Sequence, residues 1–242
     1  MQFILAVFLT LAGVTIACAG GLDEANAGLA AAQRGDYDEA LRRFSAALAA
    51  GDLSAGNAVI AHHNIGNTYQ DKGDYARAVT EYNIALQSMP GYAEAYYGRG
   101  RARFALGQFT LAAADFTQSM KLDPTDAYAV LWLHLTRRKS AASNTDELSR
   151  NLAKFDRVHW PGPLLELYLG QASPQQVRAA SLQGDAKAKM DQACEAAFYV
   201  GEYELLRSNS GGAKSLFQEA VKICPYTADE RDGAAVELKR MP

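Results

Sequence analysis

Gly66-Asn67-Thr68-Tyr69-Gln70-Asp71-Lys72-Gly73-Asp74-Tyr75-Ala76-Arg77-Ala78-Val79-Thr80-Glu81-Tyr82 decides the fold. Its skeleton is a glycine, a second glycine seven residues later, an alanine five beyond that, and an aromatic ring four beyond the alanine. The same spacing recurs at Gly28, Gly35, Ala40, Phe44 and at Gly100, Gly107, Ala112, Phe116. Pro90 and Pro124 follow Gly73 and Gly107 at one common interval. A looser fourth copy reads Gly201, Ala213, Phe217, Ala220, Pro225. Physically this is a helix hairpin. Small residues such as Gly66 and Ala78 stand where two helix backbones approach, a glycine such as Gly73 ends the first helix in the left-handed region, and a proline such as Pro90 ends the second. One hairpin cannot bury its own apolar face, so the copies must stack into an all-α solenoid with a concave inner surface.

The interval from Gly73 to Gly107 is the tetratricopeptide period, and the pattern resembles the tetratricopeptide repeat family. The expected layout is a signal peptide over 1–19, three repeats over 20–125, a divergent helical segment over 126–193, and a repeat-like hairpin with a capping helix over 194–242. In the divergent segment Ala127 to Lys139 reads as the opening helix of a further repeat whose second helix has diverged. Asn144 with Glu147 makes a capping box for a helix to Phe155, and Ser173-Pro174 with Gln176 makes another. Thr227 and Glu230 read as the cap of a last helix that lids the open end of the stack.

The 242 residues are 49% hydrophobic and 21% charged, enough to build a core. With 24 basic and 27 acidic side chains the formal charge is -3, and the longest basic cluster is Arg137-Arg138-Lys139, which argues against nucleic acid as a partner. Phe3 to Ala17 carries no charge and has the length of a signal-peptide core, short for a membrane span. Two cleavages stay open. Ala17-Cys18-Ala19 suits ordinary signal peptidase, whereas Thr15-Ile16-Ala17-Cys18 is a degenerate lipobox that would lipidate Cys18. Neither has the Lys or Arg expected near Met1, which leaves the true start of the reading frame open.

In the repeat register Cys194 falls at the start of one helix and Cys224 at the end of the next, ends that an antiparallel hairpin brings together, so a disulfide is expected. The alternative is two free buried thiols.

No catalytic constellation is present: the histidines His62, His63, His134 and His159 form no His-Glu-x-x-His, and no Gly-x-Ser-x-Gly, Walker loop or dinucleotide fingerprint occurs. Adjacent His62 and His63 point in different directions on a helix and do not suit one metal ion. The sequence therefore reads as a non-enzymatic binding protein without metal or cofactor. The concave positions are the second, fifth, ninth and twelfth of each first helix, namely Ile60, His63, Asn67 and Gln70 in the second repeat and Glu94, Tyr97, Arg101 and Phe104 in the third. His63, Asn67, Gln70, Tyr97 and Arg101 are the candidate partner-binding residues, with hydrogen bonds, aromatic contact and charge to offer a peptide. Truncating Arg101 at such a position is expected to leave folding intact. A clamp for a chaperone-tail carboxylate would want Lys where His63 stands, so that ligand is disfavoured.

Leu131-Trp132-Leu133-His134-Leu135, then Leu167-Tyr168-Leu169-Gly170 with Ser173, then Phe198-Tyr199-Val200-Gly201 leading to Ala213, Leu216-Phe217 and Ala220-Val221, resemble the NlpI-type lipoproteins in order and spacing. The likeness runs from about Gly28 to Arg240. It implies a homodimeric adaptor anchored to the outer membrane that brings a tail-specific protease to peptidoglycan hydrolases and so controls cell-wall turnover. A generic assembly or structural module of a secretion or envelope complex is the second reading, and an enzyme with an unrecognised site the third.

Overall fold

The computed structural model describes residues 20–140 and 145–242; Cys18 and Asn144, with the expectations attached to them, lie outside the described residues. Among the described residues the fold is all-helical: α1 (Gly21–Gln33), α2 (Tyr37–Ala49), α3 (Ala55–Asp71), α4 (Tyr75–Ser88), α5 (Ala93–Ala105), α6 (Phe109–Leu122), α7 (Ala127–Lys139), α8 (Thr145–Leu152), α9 (Gly162–Tyr168), α10 (Pro174–Ala180), α11 (Ala186–Leu206), α12 (Ser210–Ile223) and α13 (Asp229–Arg240). Helices α1/α2, α3/α4, α5/α6 and α11/α12 are antiparallel hairpins, and consecutive hairpins stack.

The repeated glycine and aromatic are partners. A Cβ on Gly66 would lie 2.7 Å from the Tyr82 ring, one on Gly28 2.8 Å from Phe44, one on Gly100 2.9 Å from Phe116, and one on Gly201 2.7 Å from Phe217. The aromatic of the second helix therefore lies in the groove that the missing side chain leaves on the first. All four rings are fully buried, each contributing about 1.5–3 kcal/mol by burial. The hairpin turn uses the left-handed region at Gly35, Gly73 and Gly107, with φ of +79°, +81° and +75°. In the fourth copy the same place is held by Ser208 at φ 64°, a conformation that costs a non-glycine residue about 1 kcal/mol or more. The looseness of that copy is thus a change of residue, not of geometry.

The interior is uneven along the stack. Around α1 to α5 it consists of two small clusters, one on Phe44 and Ile65 and one on Tyr82 and Val59. From Phe104 onward a single core runs through Phe116, Trp132, Leu164, Phe198 and Phe217. Trp132, which is 1% exposed, is its centre, with Phe116 and Phe198 stacked on it at 5.9 and 5.4 Å and Phe104 edge-on at 5.2 Å. The short α8 packs on α7 and gives Leu148 and Leu152 to this core, and α9 and α10, which pack on α11, supply Leu164, Leu165, Leu167 and Val177. The Ser173 and Gln176 capping box forms as expected. Helix α8 stops at Leu152, short of Phe155, which turns back onto the Leu152 carbonyl.

Two expectations about the last repeat change. Helix α11 begins at Ala186, so Cys194 lies in the body of a 21-residue helix and not at its start, and the fourth hairpin begins inside the 126–193 segment. Cys194 and Cys224 are joined with S–S 2.15 Å and Cα–Cα 5.0 Å, because Cys224 at the end of α12 comes alongside the third turn of the overlong α11. Helix α13 starts at Asp229 after Ala228 with no side-chain cap, so Thr227 and Glu230 do not form the cap expected of them.

Candidate functional site

The concave face is built from α3 and α5, whose side chains alternate between the hairpin interior and the inner surface of the superhelix. His62 and His63 part company as helix geometry demands: His62 Nδ1 is 2.8 Å from Glu81, while the His63 ring packs on Tyr82 and Tyr92 at 5.7 and 5.2 Å. Burial lowers the His63 pKa to about 4, so it is neutral at pH 7 and presents no charge to a ligand. Asn67 Oδ1 accepts from the Tyr82 hydroxyl at 2.6 Å, and Gln70 is 1% exposed with neither amide atom hydrogen-bonded among the described residues. Ile60 remains exposed.

One repeat later the same positions are covered by the chain's own C-terminus. Arg101 is 6% exposed, donates to Asp229 of α13, and lies 3.6 Å from Asp232. Asp232 also accepts from the Tyr75 hydroxyl at 2.8 Å. Tyr97 stacks edge-on to Phe116 at 5.8 Å beneath the Arg101 guanidinium, and Phe104 is 1% exposed beneath Arg240. Arg240 donates to the Phe104 carbonyl at 2.6 Å, and Glu237 accepts from Lys139 at 2.8 Å. Gly233 makes the approach possible, since a Cβ there would lie 2.7 Å from the Phe198 ring and 3.2 Å from Trp132. Upstream, the Tyr226 ring lies against Gly35 of the first hairpin turn with Arg231 over it at 4.6 Å. Helix α13 therefore packs on the last hairpin and also lies as a clasp along the inner face over α5. Arg101, expected on a free groove, is a buried ionic anchor whose loss would leave two carboxylates unpaired. The acidic run Asp229-Glu230-Arg231-Asp232 and the mid-helix Gly233 were the sequence signals for this clasp.

What the clasp leaves open is a cleft of about 240 Å³ between the first two repeats and the C-terminal segment. Asn64, Asn67, Gln70 and Asp71 of α3 form its polar wall, Leu29 and Phe44 its apolar wall. His63, Tyr97 and the body of Arg101 are turned to packing, so of the five candidate residues Asn67 and Gln70 face the cleft and Arg101 forms its edge. Sequence reasoning missed Asp71, which lies beyond the twelfth position. Burial raises its pKa to about 8 against the usual 3.8, with Asp232 and Asp229 adding to the rise and Arg101 opposing it. Among the described residues no cluster of His, Cys, Asp and Glu is placed to hold a metal ion, and no helix is long and apolar enough to cross a membrane.

Residues 63–127 match the family model for the tetratricopeptide repeat. Among solved structures, a tetratricopeptide repeat protein from Parabacteroides merdae ATCC 43184 is similar at 17% identity over 89% of this chain and 83% of that one, with a TM-score of 0.53. The first tetratricopeptide repeat domain of Spaghetti (RPAP3), bound to an HSP90 peptide, is 27% identical over 50% of this chain and 91% of that one, with a TM-score of 0.45. YrrB, a tetratricopeptide protein with an unusual peptide-binding site, is 16% identical over 90% of this chain and 92% of that one, with a TM-score of 0.47. Residues 63–127 thus carry the tetratricopeptide repeat in sequence, and the helix hairpins to either side continue the same fold.

Proposed function

We propose that this protein is a cell-envelope adaptor that holds a protein partner at the cleft between its first two repeats and its C-terminal clasp. The observation that carries the reading is the contrast between buried, unsatisfied amide groups at Gln70 and an opening to solvent beside Leu29, a combination suited to capturing polypeptide backbone and side chains. Export rests on the apolar run from Phe3 to Ala17, and an outer-membrane anchor rests on lipidation of Cys18. The resemblance of the Tyr128 to Ser173 segment to the NlpI-type lipoproteins makes a periplasmic protease and peptidoglycan hydrolases the partners, with a homodimer as the working form.

A photo-reactive residue at Leu29, on the rim, should cross-link its partner in envelope extract, whereas the same residue at Leu111, exposed on the outer helix α6, should not. A protease or wall hydrolase captured from Leu29 supports the adaptor role. Secretion or pilus components captured there would make the protein an assembly module, and capture from Leu111 alone would move the partner to the outer face. Intact mass of the mature protein decides the anchor: a diacylglycerol on Cys18 supports it, and an N-terminus at Gly20 removes it.

A further inference from the structure

The cleft has a charge rule. Among the described residues Arg101 is its only basic lining group, and that guanidinium is already held by Asp229 and Asp232. Asp71 has no hydrogen bond or ion pair among the described residues, and Gln70 offers an unpartnered amide oxygen and an unpartnered amide nitrogen from a side chain 1% exposed. Leu29, Ala32 and Phe44 make one apolar wall of a lining that is otherwise uncharged and polar apart from Asp71, Asp229 and Arg101. An aliphatic stem belongs on that wall, and a cationic head belongs at its polar end, the arrangement by which long basic side chains divide themselves between apolar surface and charge. The Gln70 amide nitrogen, left over as a donor, needs a carbonyl that a polypeptide supplies and a free amine does not.

We infer that the cleft selects a lysine side chain of a polypeptide partner, its ammonium donating to Asp71 and to the Gln70 amide oxygen while the Gln70 amide nitrogen donates to the adjoining partner carbonyl. This rests on the adaptor reading and names the chemistry by which that partner is chosen. A cleft of about 240 Å³ is smaller than the sites of drug-sized ligands, which begin at about 300 Å³, and is of the scale of one side chain with its flanking backbone. The charges facing Asp71 are Arg101 on α5 and Asp229, Arg231 and Asp232 on α13, and the titratable hydroxyls beside it are those of Tyr37 on α2 and Tyr82 on α4, both pushed up by burial. A cation entering beside them also relieves the repulsion among the carboxylates. Because Asp71 gains its charge only as pH approaches 8, the affinity for lysine should rise about tenfold per pH unit from 6 to 8 and then level off.

The test is titration calorimetry on the full mature chain with three probes: the acetylated and amidated peptide Gly-Gly-Lys-Gly-Gly, the same peptide with its lysine Nε-acetylated, and cadaverine. The lysine peptide should bind at least tenfold more tightly than the other two. Asp71→Asn should lose at least tenfold in affinity and abolish the pH dependence while melting no lower than the parent, since it removes a charge that burial disfavours. Equal binding of the acetylated peptide, a flat pH profile in the parent, or no binding of the lysine peptide overturns the charge rule. Equal binding of cadaverine assigns the site to free diamines and overturns the polypeptide assignment. A protein that still cross-links its envelope partner from Leu29 while ignoring the lysine peptide keeps the adaptor role and loses only this rule.

Discussion

Asn67 and Arg101 occupy the ninth position of consecutive first helices, one repeat apart, yet one borders an open cleft and the other is sealed under the clasp. Gln70 and Phe104, at the twelfth position, divide in the same way. The helices are alike, and what differs is the neighbour. Helix α13 is tied to the last hairpin, and Gly233 sets it close against Phe198 and Trp132, so its acidic face pairs with Arg101 of α5 and reaches only the C-terminal end of α3 at Asp71. A repeat thus fixes where a side chain points, and the rest of the chain decides whether anything is left for it to bind.

The sharpest way to break the comparison is Arg101→Ala. It strands Asp229 and Asp232 under the clasp and should cost about 3–5 kcal/mol, read as a lower urea midpoint. A loss below about 1 kcal/mol would mean that the clasp does not hold this half shut. Next in size is Cys224→Ser. Opening a cross-link between residues 30 apart should cost about 3.6 kcal/mol in the chain-entropy account, and non-reducing peptide mapping of the parent should show the bonded pair. Free alkylation of both thiols in native protein would remove that contribution from the closed half.

Asn67→Ala tests the open half at the same register and should be milder. It leaves the Tyr82 hydroxyl without its partner, a loss of about 1–2 kcal/mol, and should spare the contacts of α13. Smallest is the effect of pH. Burial lifts Asp232 to about 6 and Asp71 to about 8, so their contribution to stability is complete below the usual carboxylate range and is lost as pH rises through those values. His63 and His134, lowered to about 4 by burial, act the other way, but only below about 6.5. Between pH 6.5 and 8 the carboxylates are unopposed. Glu202 and Glu230, also lifted to about 8 by burial, act in the same direction, so the melting temperature should fall by a few degrees across that window and Asp71→Asn should lessen the fall without abolishing it.

The hairpins were legible because each rests on contacts made within its own pair of helices. A glycine that makes room, the ring that fills it and the left-handed turn between them are all local, and even the deviant Ser208 keeps the register. The candidate site was legible only as a list of directions. Asn67 and Gln70 line the cleft, but the burial of Arg101 depends on Asp229, far along the chain on α13, and the role of Asp71 depends on Asp232, Asp229 and Arg101 together. The position of Cys194 was missed because helix α11 begins two turns before the repeat register requires, and a periodic pattern does not mark how far a helix extends past it.

By itself, then, the sequence determined the all-helical stack, the glycine and aromatic pairs, and the face on which each first-helix residue lies, since helix periodicity and close packing are set by neighbours along the chain. Only the tertiary structure decided that the inner face is clasped over its third repeat and open beside its first two. That choice turns on where a superhelix of several hairpins brings its last helix, a sum of small rotations to which every hairpin contributes and which no single repeat encodes.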